Sequence, residues 1–258
     1  MDQTGRVVVV GSGRLGGAVS SRLAAAGVAV HAVGRGEPVG EADVVWLTVP
    51  DAAIAALAGA LPVGPVVLHS AGSLGPEVLH PHRGAVLHPL MTFPPPPGAR
   101  VPCTLEGHPD AVAVARRLAD ALGWEPVGGV ADRVRYHAAA CLASGHLAAA
   151  YEDAARLFSS ATGVELAVAR RTLQPLAQAS LARVAEVGPG AITGPAARGD
   201  RPTVAAHRAA LPAALLPTYD AGTARIENLR ADPKDPLLAV KSGGYTPIRA
   251  GTPEADDA

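Results

Sequence analysis

Six residues near the N-terminus constrain this chain more than any others. Gly11-Ser12-Gly13-Arg14-Leu15-Gly16 follows the apolar run Val7–Val10 and opens an alanine-rich stretch of helical character. The spacing G-x-G-x-x-G at a strand-to-helix junction has a specific physical content. Gly11 permits a tight turn, Gly13 lets a ligand approach the backbone, and Gly16 lets the helix pack close to the strand. The free N–H groups and dipole of the helix start then favour an anion. In this context the pattern predicts a dinucleotide site in which Gly11, Ser12, Gly13, Arg14, Leu15 and Gly16 cradle the pyrophosphate. A bare glycine turn is the alternative.

The segments that follow support a fold for such a loop. Short β-branched or apolar runs recur at Val7–Val10, Val28–Val33, Val44–Val49, Val66–Leu68 and Ala85–Leu87, with a weaker one at Val101–Leu105. Helical stretches fall near Leu15–Ala26, Ala52–Ala60 and Asp110–Leu122. Strands alternating with helices imply a mostly parallel, doubly wound sheet, and near-continuous apolar strands fit a sheet covered on both faces. The expected class is an α/β Rossmann domain over 1–130, followed by an all-α domain over 131–232. In the latter, 134–161 reads as one long helix and 165–187 as a second, kinked at Pro175. A Gly/Pro-rich loop over 188–202 and shorter helices near 203–210 and 213–230 complete it. The segment 233–258, spaced by Pro and Gly and ending in acids, reads as a flexible tail.

Composition excludes several functions. A formal net charge of −1 in 258 residues, with both signs interspersed, leaves no basic field for nucleic acid or an anionic membrane. The N-terminal apolar run is too short for a signal peptide or a membrane span, so a cytoplasmic, membrane-free protein is expected. Two cysteines, Cys103 and Cys141, make no disulfide framework. Both lysines, Lys234 and Lys241, lie in the tail. A lysine acid or Schiff base in the folded body is thereby excluded.

The end of the second strand bears on the nucleotide. NAD binders place an acid about 20 residues beyond the glycine loop to hold the ribose 2′-hydroxyl. Here the chain reads Val33-Gly34-Arg35-Gly36, with Glu37 slightly late. Arg35, a permanently charged planar fork, suits a 2′-phosphate and predicts NADP(H); a solvated surface arginine is the other reading.

Beyond the glycine loop, LTVPDAAI from Leu47, HSAGSLG from His69, HPLMTF from His88, YHAAACLASGH from Tyr136 and TGPAARGD from Thr193 form a set. Together with GSGRLG they resemble, over about residues 5–230, a family of Rossmann-like proteins with a C-terminal helical domain of unknown function. Its relatives are pyrroline-5-carboxylate reductase and the 6-phosphogluconate dehydrogenase superfamily. The resemblance implies an NADP-binding domain, a helical domain that helps form a homodimer, and a site in the cleft between them. It adds Val49, Pro50, Ser70 and Gly72 to the cofactor residues, and it links some members to ketopantoate reduction. Family members commonly carry Asn before the position of His146, where this chain has Gly145.

Hydride transfer asks the protein for geometry and a proton donor. His137, Cys141 and Ser144 share one face of a straight helix, while His146 falls on the opposite side. The resemblance, whose Tyr-His motif falls at Tyr136-His137, favours His137 as donor or substrate anchor, with Ser144 on its face as a catalytic candidate and Cys141 lining the substrate; a packed or capping histidine is the alternative for His137. His88, at a strand end, is placed near nicotinamide or substrate, or else is structural. Thr193 and Arg198 are substrate candidates in the glycine-rich loop, Arg198 for a carboxylate, whereas Asp200 reads as the start of the next helix. His80, His82 and His88 do not make a metal site, for want of second-shell acids and with prolines between them.

The expected function is NADPH-dependent reduction of a small 2-oxo acid, ketopantoate-like. Imine reduction, as in pyrroline-5-carboxylate reductase, and a non-catalytic NADP-binding sensor or scaffold are the alternatives.

Overall fold

The computed structural model describes residues 5–231. They form two compact units, 5–142 and 143–231. The expected tail over 233–258, with both lysines, lies outside the described residues.

The first unit is a seven-stranded sheet. Its strands are β1 (Val7–Val10), β2 (Val30–Val33), β3 (Val44–Leu47), β4 (Val66–His69), β5 (Gly84–Pro89), β6 (Val101–Gly107) and β7 (Trp124–Gly128). They lie in the order β2-β1-β3-β4-β5-β6-β7. All neighbours are parallel except β5 and β6. The strand order reverses direction at β1, so the carboxyl ends of β1 and β3 flank the crevice where ligands of open α/β sheets bind.

Alternate residues of the strands go to opposite faces. Val7, Val9, Val44, Trp46, Val66 and Leu68 pack with Val19 and Leu23 of α1 (Arg14–Ala25) and Leu118 of α3 (Pro109–Leu122). Val8, Val10, Val45, Leu47 and Val67 pack with Ile54 and Ala58 of α2 (Asp51–Ala60) and with Leu79. Both faces are thus covered, which is why β1 and β3 are apolar and buried at every position. In β2, by contrast, His31 and Ala32 are exposed at the sheet edge.

Two features of this unit depart from the sequence expectation. The pair β5–β6 is antiparallel because no helix lies between them to return the chain in parallel. The strand β7 was not expected. Trp124-Glu125-Pro126-Val127-Gly128 carries a proline and a glycine and so gives little strand signal, yet Trp124 is buried, edge to face with Trp46 at 6.0 Å.

The unit closes with α4 (Arg133–Cys141). Composition places a boundary at 130, but the structure divides after Leu142. Arg133 and Tyr136 of α4 hydrogen-bond to Glu106 and Thr104 of β6, and this ties the helix to the sheet. Nor is 134–161 one uniform helix. A π-helical turn over Leu142–His146, containing Gly145, separates α4 from α5 (Leu147–Thr162).

In the second unit α5 pairs with α6 (Leu166–Val187), through Glu152 to Arg170 and Tyr151 to the Arg170 carbonyl. The helix α6 continues through Pro175. The expected loop over 188–202 is largely helical: a 3₁₀ turn over Gly188–Ala191 and the short α7 (Pro195–Arg198). Pro at the first position and Gly199 in the left-handed region suit a single helical turn. Asp200 caps α8 (Arg201–Ala210), accepting from the Thr203 N–H at 3.2 Å and hydroxyl at 2.7 Å, as expected. The helix α9 (Leu216–Ala231) ends the described chain, with Tyr219 hydrogen-bonded to His207 at 2.8 Å. No helix among the described residues is long and apolar enough to cross a membrane.

Candidate active site

The glycine loop joins β1 to α1, and its three glycines answer different demands. Gly11 has φ +115°, and a Cβ there would lie 2.7 Å from the Thr48 carbonyl oxygen. A Cβ on Gly16 would sit 1.9 Å from the Gly11 oxygen. Both are therefore required by the fold itself. Gly13 differs: its backbone is ordinary and a Cβ would meet nothing within 4 Å. Nothing in the protein demands glycine at 13, and the space in front of it is open. No side chain caps α1 and no acid stands in its first turn. An open face with unpaired N–H donors fits a nucleotide pyrophosphate. The second wall comes from β3: the Thr48 hydroxyl donates to the Val10 carbonyl at 3.0 Å, pinning the turn, and Val49 and Pro50 lead into α2.

At the end of β2, Arg35 is exposed beside Gly34. The Gly34 N–H donates to the Glu37 carboxylate at 2.7 Å, so the late acid is folded back onto the turn.

The second focus lies further along the carboxyl edge of the sheet, after β4 and β5. The loop from His69 to Gly75 is shaped by His69, fully buried. Its Nδ1 accepts from the Ala71 N–H at 3.1 Å, so Nε2 carries the proton and donates to the Gly75 carbonyl at 3.1 Å. Burial lowers its pKa, and the ring is a neutral brace. The Ser70 hydroxyl donates to the Leu87 carbonyl at 2.8 Å and accepts from the Trp46 indole at 2.9 Å. This expected cofactor residue thus holds β4 to its neighbours.

Gly72 is the point where two imidazoles meet. A Cβ on it would lie 2.7 Å from His88 Nε2 and 2.8 Å from His137 Cδ2. Here glycine is required by crowding and not by backbone conformation. His88 comes from β5, and its Nδ1 is 2.5 Å from the Tyr136 hydroxyl, which is 3.1 Å from Thr104 Oγ1. Burial, reinforced by His137 and Arg133, pushes the His88 pKa down to about 4. Burial also raises the Tyr136 pKa. Arg133 donates to Glu106 and to the Gly72 carbonyl, with its guanidinium 5.9 Å from the centre of the Tyr136 ring. His137 Nε2 is 3.8 Å from Cys141 Sγ.

The structure therefore brings together His88, His137, Cys141 and Gly72 of the predicted residues. Ser144 lies in the π turn, where α-helical spacing no longer applies. The expected common face holds for His137 and Cys141; for Ser144, and for His146 on the opposite side, its geometric basis is gone. Thr193 and Arg198 lie in the second unit, both exposed, Thr193 shortly before α7 and Arg198 at its last position. Among the described residues no group of three or more His, Cys, Asp or Glu could hold a metal; His82 Nε2 lies 2.8 Å from the Ala58 carbonyl.

Sequence reasoning missed Arg133, Tyr136, Thr104, Glu106 and His69. Arg133, Tyr136 and His137 are spaced i, i+3, i+4, a signal available in the sequence. Thr104 and Glu106 become visible only once β6 is known to run antiparallel beside β5, where His88 faces Thr104 and Val86 faces Glu106.

Comparison with known proteins agrees with this architecture. Residues 101–226 match the family described as Domain of unknown function (DUF2520). The resemblance read from the motif segments is thus borne out from β6 to α9. No curated protein matches the sequence. Among solved structures, a protein described as an NADP oxidoreductase from Bacteroides fragilis is 21% identical, with a TM-score of 0.71, covering 87% of this chain and 98% of its own. A Thermotoga maritima protein is 21% identical with a TM-score of 0.68, covering 88% and 99%. The 1-pyrroline-5-carboxylate reductase of Streptococcus pyogenes is 13% identical with a TM-score of 0.57, covering 87% and 99%. At these identities the likeness is one of fold: a Rossmann-type domain followed by helices.

Proposed function

We propose that this protein is an NADPH-dependent reductase of a small 2-oxo acid, of the size and charge of ketopantoate. The observation that carries the reading is the pair of imidazoles, His88 and His137, meeting at Gly72 on the same sheet edge as the open glycine cradle. Such an edge is where open α/β sheets bind ligands. The names of the similar solved structures, an NADP oxidoreductase and a pyrroline carboxylate reductase, support the same chemistry.

Gly11 to Gly16 would hold the pyrophosphate through backbone N–H groups, and Val49 and Pro50 would line the opposite wall. Arg35 would meet the 2′-phosphate. NADPH when bound supplies a hydride. The protein's own part is to orient the acceptor and to hold a proton where the reduced oxygen or nitrogen needs it. His88 and His137 are the groups placed for this, and Cys141 lines the approach to His137. Arg198 and Thr193 are proposed to hold the substrate carboxylate, and Ser144 to assist His137.

The chain is proposed to work as a homodimer through its helical unit. Leu176, Leu181, Val184 and Val187 of α6 are exposed, and only Ala169 of that helix is buried. A long helix with this much uncovered apolar surface calls for a partner.

The test is a fluorescence titration with NADPH, followed by NADPH oxidation on a panel of 2-oxo acids and cyclic imines, with ketopantoate first. Turnover of 2-oxo acids is expected. Turnover of 1-pyrroline-5-carboxylate alone would move the protein to imine reduction. NADPH binding with no turnover at all would make it a nucleotide-binding sensor.

A further inference from the structure

The direction of the hydrogen bonds around Tyr136 can be worked out from the donors available. Thr104 is 5% exposed, and its hydroxyl has one hydrogen-bond partner among the described residues, the Tyr136 oxygen. A buried O–H left without an acceptor costs about 1–3 kcal/mol. The Thr104 proton therefore points to the Tyr136 oxygen. Tyr136 must then give its own proton elsewhere, and the acceptor in reach is His88 Nδ1. Arg133, beside the ring, is a donor only and cannot take it. The chain of donation runs Thr104 to Tyr136 to His88 Nδ1.

A neutral imidazole with Nδ1 as acceptor carries its proton on Nε2. That nitrogen forms no hydrogen bond among the described residues. It lies against the Gly72 backbone, beside the His137 ring, where a side chain would block it. An N–H held in one tautomer, unpaired and facing a glycine on the ligand-binding edge of the sheet, is a donor prepared for an incoming atom.

We propose that His88 is the group that protonates the substrate, through Nε2–H, and that Tyr136 is the positioning residue that fixes its tautomer and resupplies its proton through Nδ1. This rests on the reductase reading above. In such a reduction the carbonyl carbon would gain the hydride that NADPH supplies, and the π pair of the C=O bond would move onto oxygen. The Nε2 proton passes to that oxygen, and the Tyr136 phenol proton passes to Nδ1, so the imidazole stays neutral throughout. Burial disfavours the phenolate left behind, and the Thr104 O–H and the Arg133 cation near its ring oppose that cost, so the charge is transient and water returns the proton. His137 then serves as the anchor on the other side of Gly72. The low pKa of His88, about 4, agrees with a ring that works as neutral imidazole and never as free imidazolium.

The experiment is ¹⁵N–¹H NMR of the imidazoles in the full chain, wild type and Tyr136→Phe, with Thr104→Val as a second variant. It needs no substrate. At neutral pH wild-type His88 should be the Nε2–H tautomer, and Tyr136→Phe should convert it to a mixture of tautomers. Thr104→Val should weaken the preference without abolishing it. A wild-type Nδ1–H tautomer, or a tautomer unchanged in Tyr136→Phe, would overturn the proposal. With any turnover substrate found on the panel, Tyr136→Phe should lower kcat about 10- to 100-fold, a part of the 10²–10⁴-fold available to general acids, while the NADPH Kd stays unchanged. Failure of NADPH to bind the wild type would refute the reductase reading and would leave the tautomer result to be judged separately.

Discussion

His88 and Thr104 stand opposite each other across the antiparallel pair β5–β6, and both reach the Tyr136 hydroxyl. Partners in such a register point to the same face of the sheet. The reversal of strand direction at β6 thus builds the polar cluster: it sets a threonine beside the strand-end histidine, and α4 lays a tyrosine over both.

Gly72→Ala tests the crowding at this cluster. The new methyl would press on His88 Nε2 and His137 Cδ2 at under 3 Å, and the His88 ring is held in place by its bond to Tyr136. Overpacking of this kind costs roughly 1–3 kcal/mol. Urea unfolding should register that loss, and turnover should fall further than stability does. A Gly72→Ala protein of wild-type stability and activity would show that the rings yield freely.

Stability should depend on pH through His88. Its folded pKa, about 4, lies below the ordinary value of 6.5, so the unfolded chain binds more protons between these limits. The contribution is complete above pH 6.5 and is lost as pH falls toward 4. A shift of this size is worth at most about 3 kcal/mol. Unfolding at pH 7.5 and pH 4.5 should show the loss in wild type and a smaller one in His88→Gln. Equal losses in the two proteins would assign the acid sensitivity to other groups.

Cofactor preference should follow Arg35. A charge-assisted contact to a 2′-phosphate is worth roughly 1.5–3 kcal/mol, about 10- to 150-fold in affinity. NADPH should bind at least an order of magnitude more tightly than NADH, and Arg35→Ala should remove most of the difference by weakening NADPH alone. Glu37 holds the Gly34 N–H in the same turn, so Glu37→Gln should strengthen NADPH binding by removing a nearby negative charge. Equal NADH and NADPH affinities in the wild type would show that Arg35 does not reach the nucleotide.

His137→Ala should lower turnover strongly while leaving NADPH affinity near wild type, and His146→Ala should do much less. The comparison matters because the π turn removes the straight-helix argument for separating them. Steady-state kinetics of the two variants on one substrate decide it; equal activities would take His137 out of the site.

Sedimentation should give twice the 25.9 kDa chain mass at micromolar concentration. Leu176→Glu combined with Val184→Glu, on the uncovered part of α6, should produce monomers. A wild-type monomer would refute the dimer.

The parallel strands at the centre of the sheet and the glycine cradle follow from the sequence alone. Val7–Val10 and Val44–Leu47 are apolar at consecutive positions because both faces of the sheet are covered, and no tertiary knowledge is needed to see that. Gly11 and Gly16 are local requirements of one strand-to-helix turn, so their roles were legible from spacing. Asp200 was legible as a cap for the same reason: a cap acts within three residues. The candidate cluster was only half legible. His88 and His137 stood out as residue types, but Thr104, Glu106 and Tyr136 are united with them by contacts between residues 16 to 48 positions apart. Those contacts depend on β6 running antiparallel and on α4 docking against it, both long-range choices that no local pattern encodes. The π turn at Leu142–His146 was invisible for a related reason: helical periodicity assumes 3.6 residues per turn, and a single wide turn shifts every later face without altering composition.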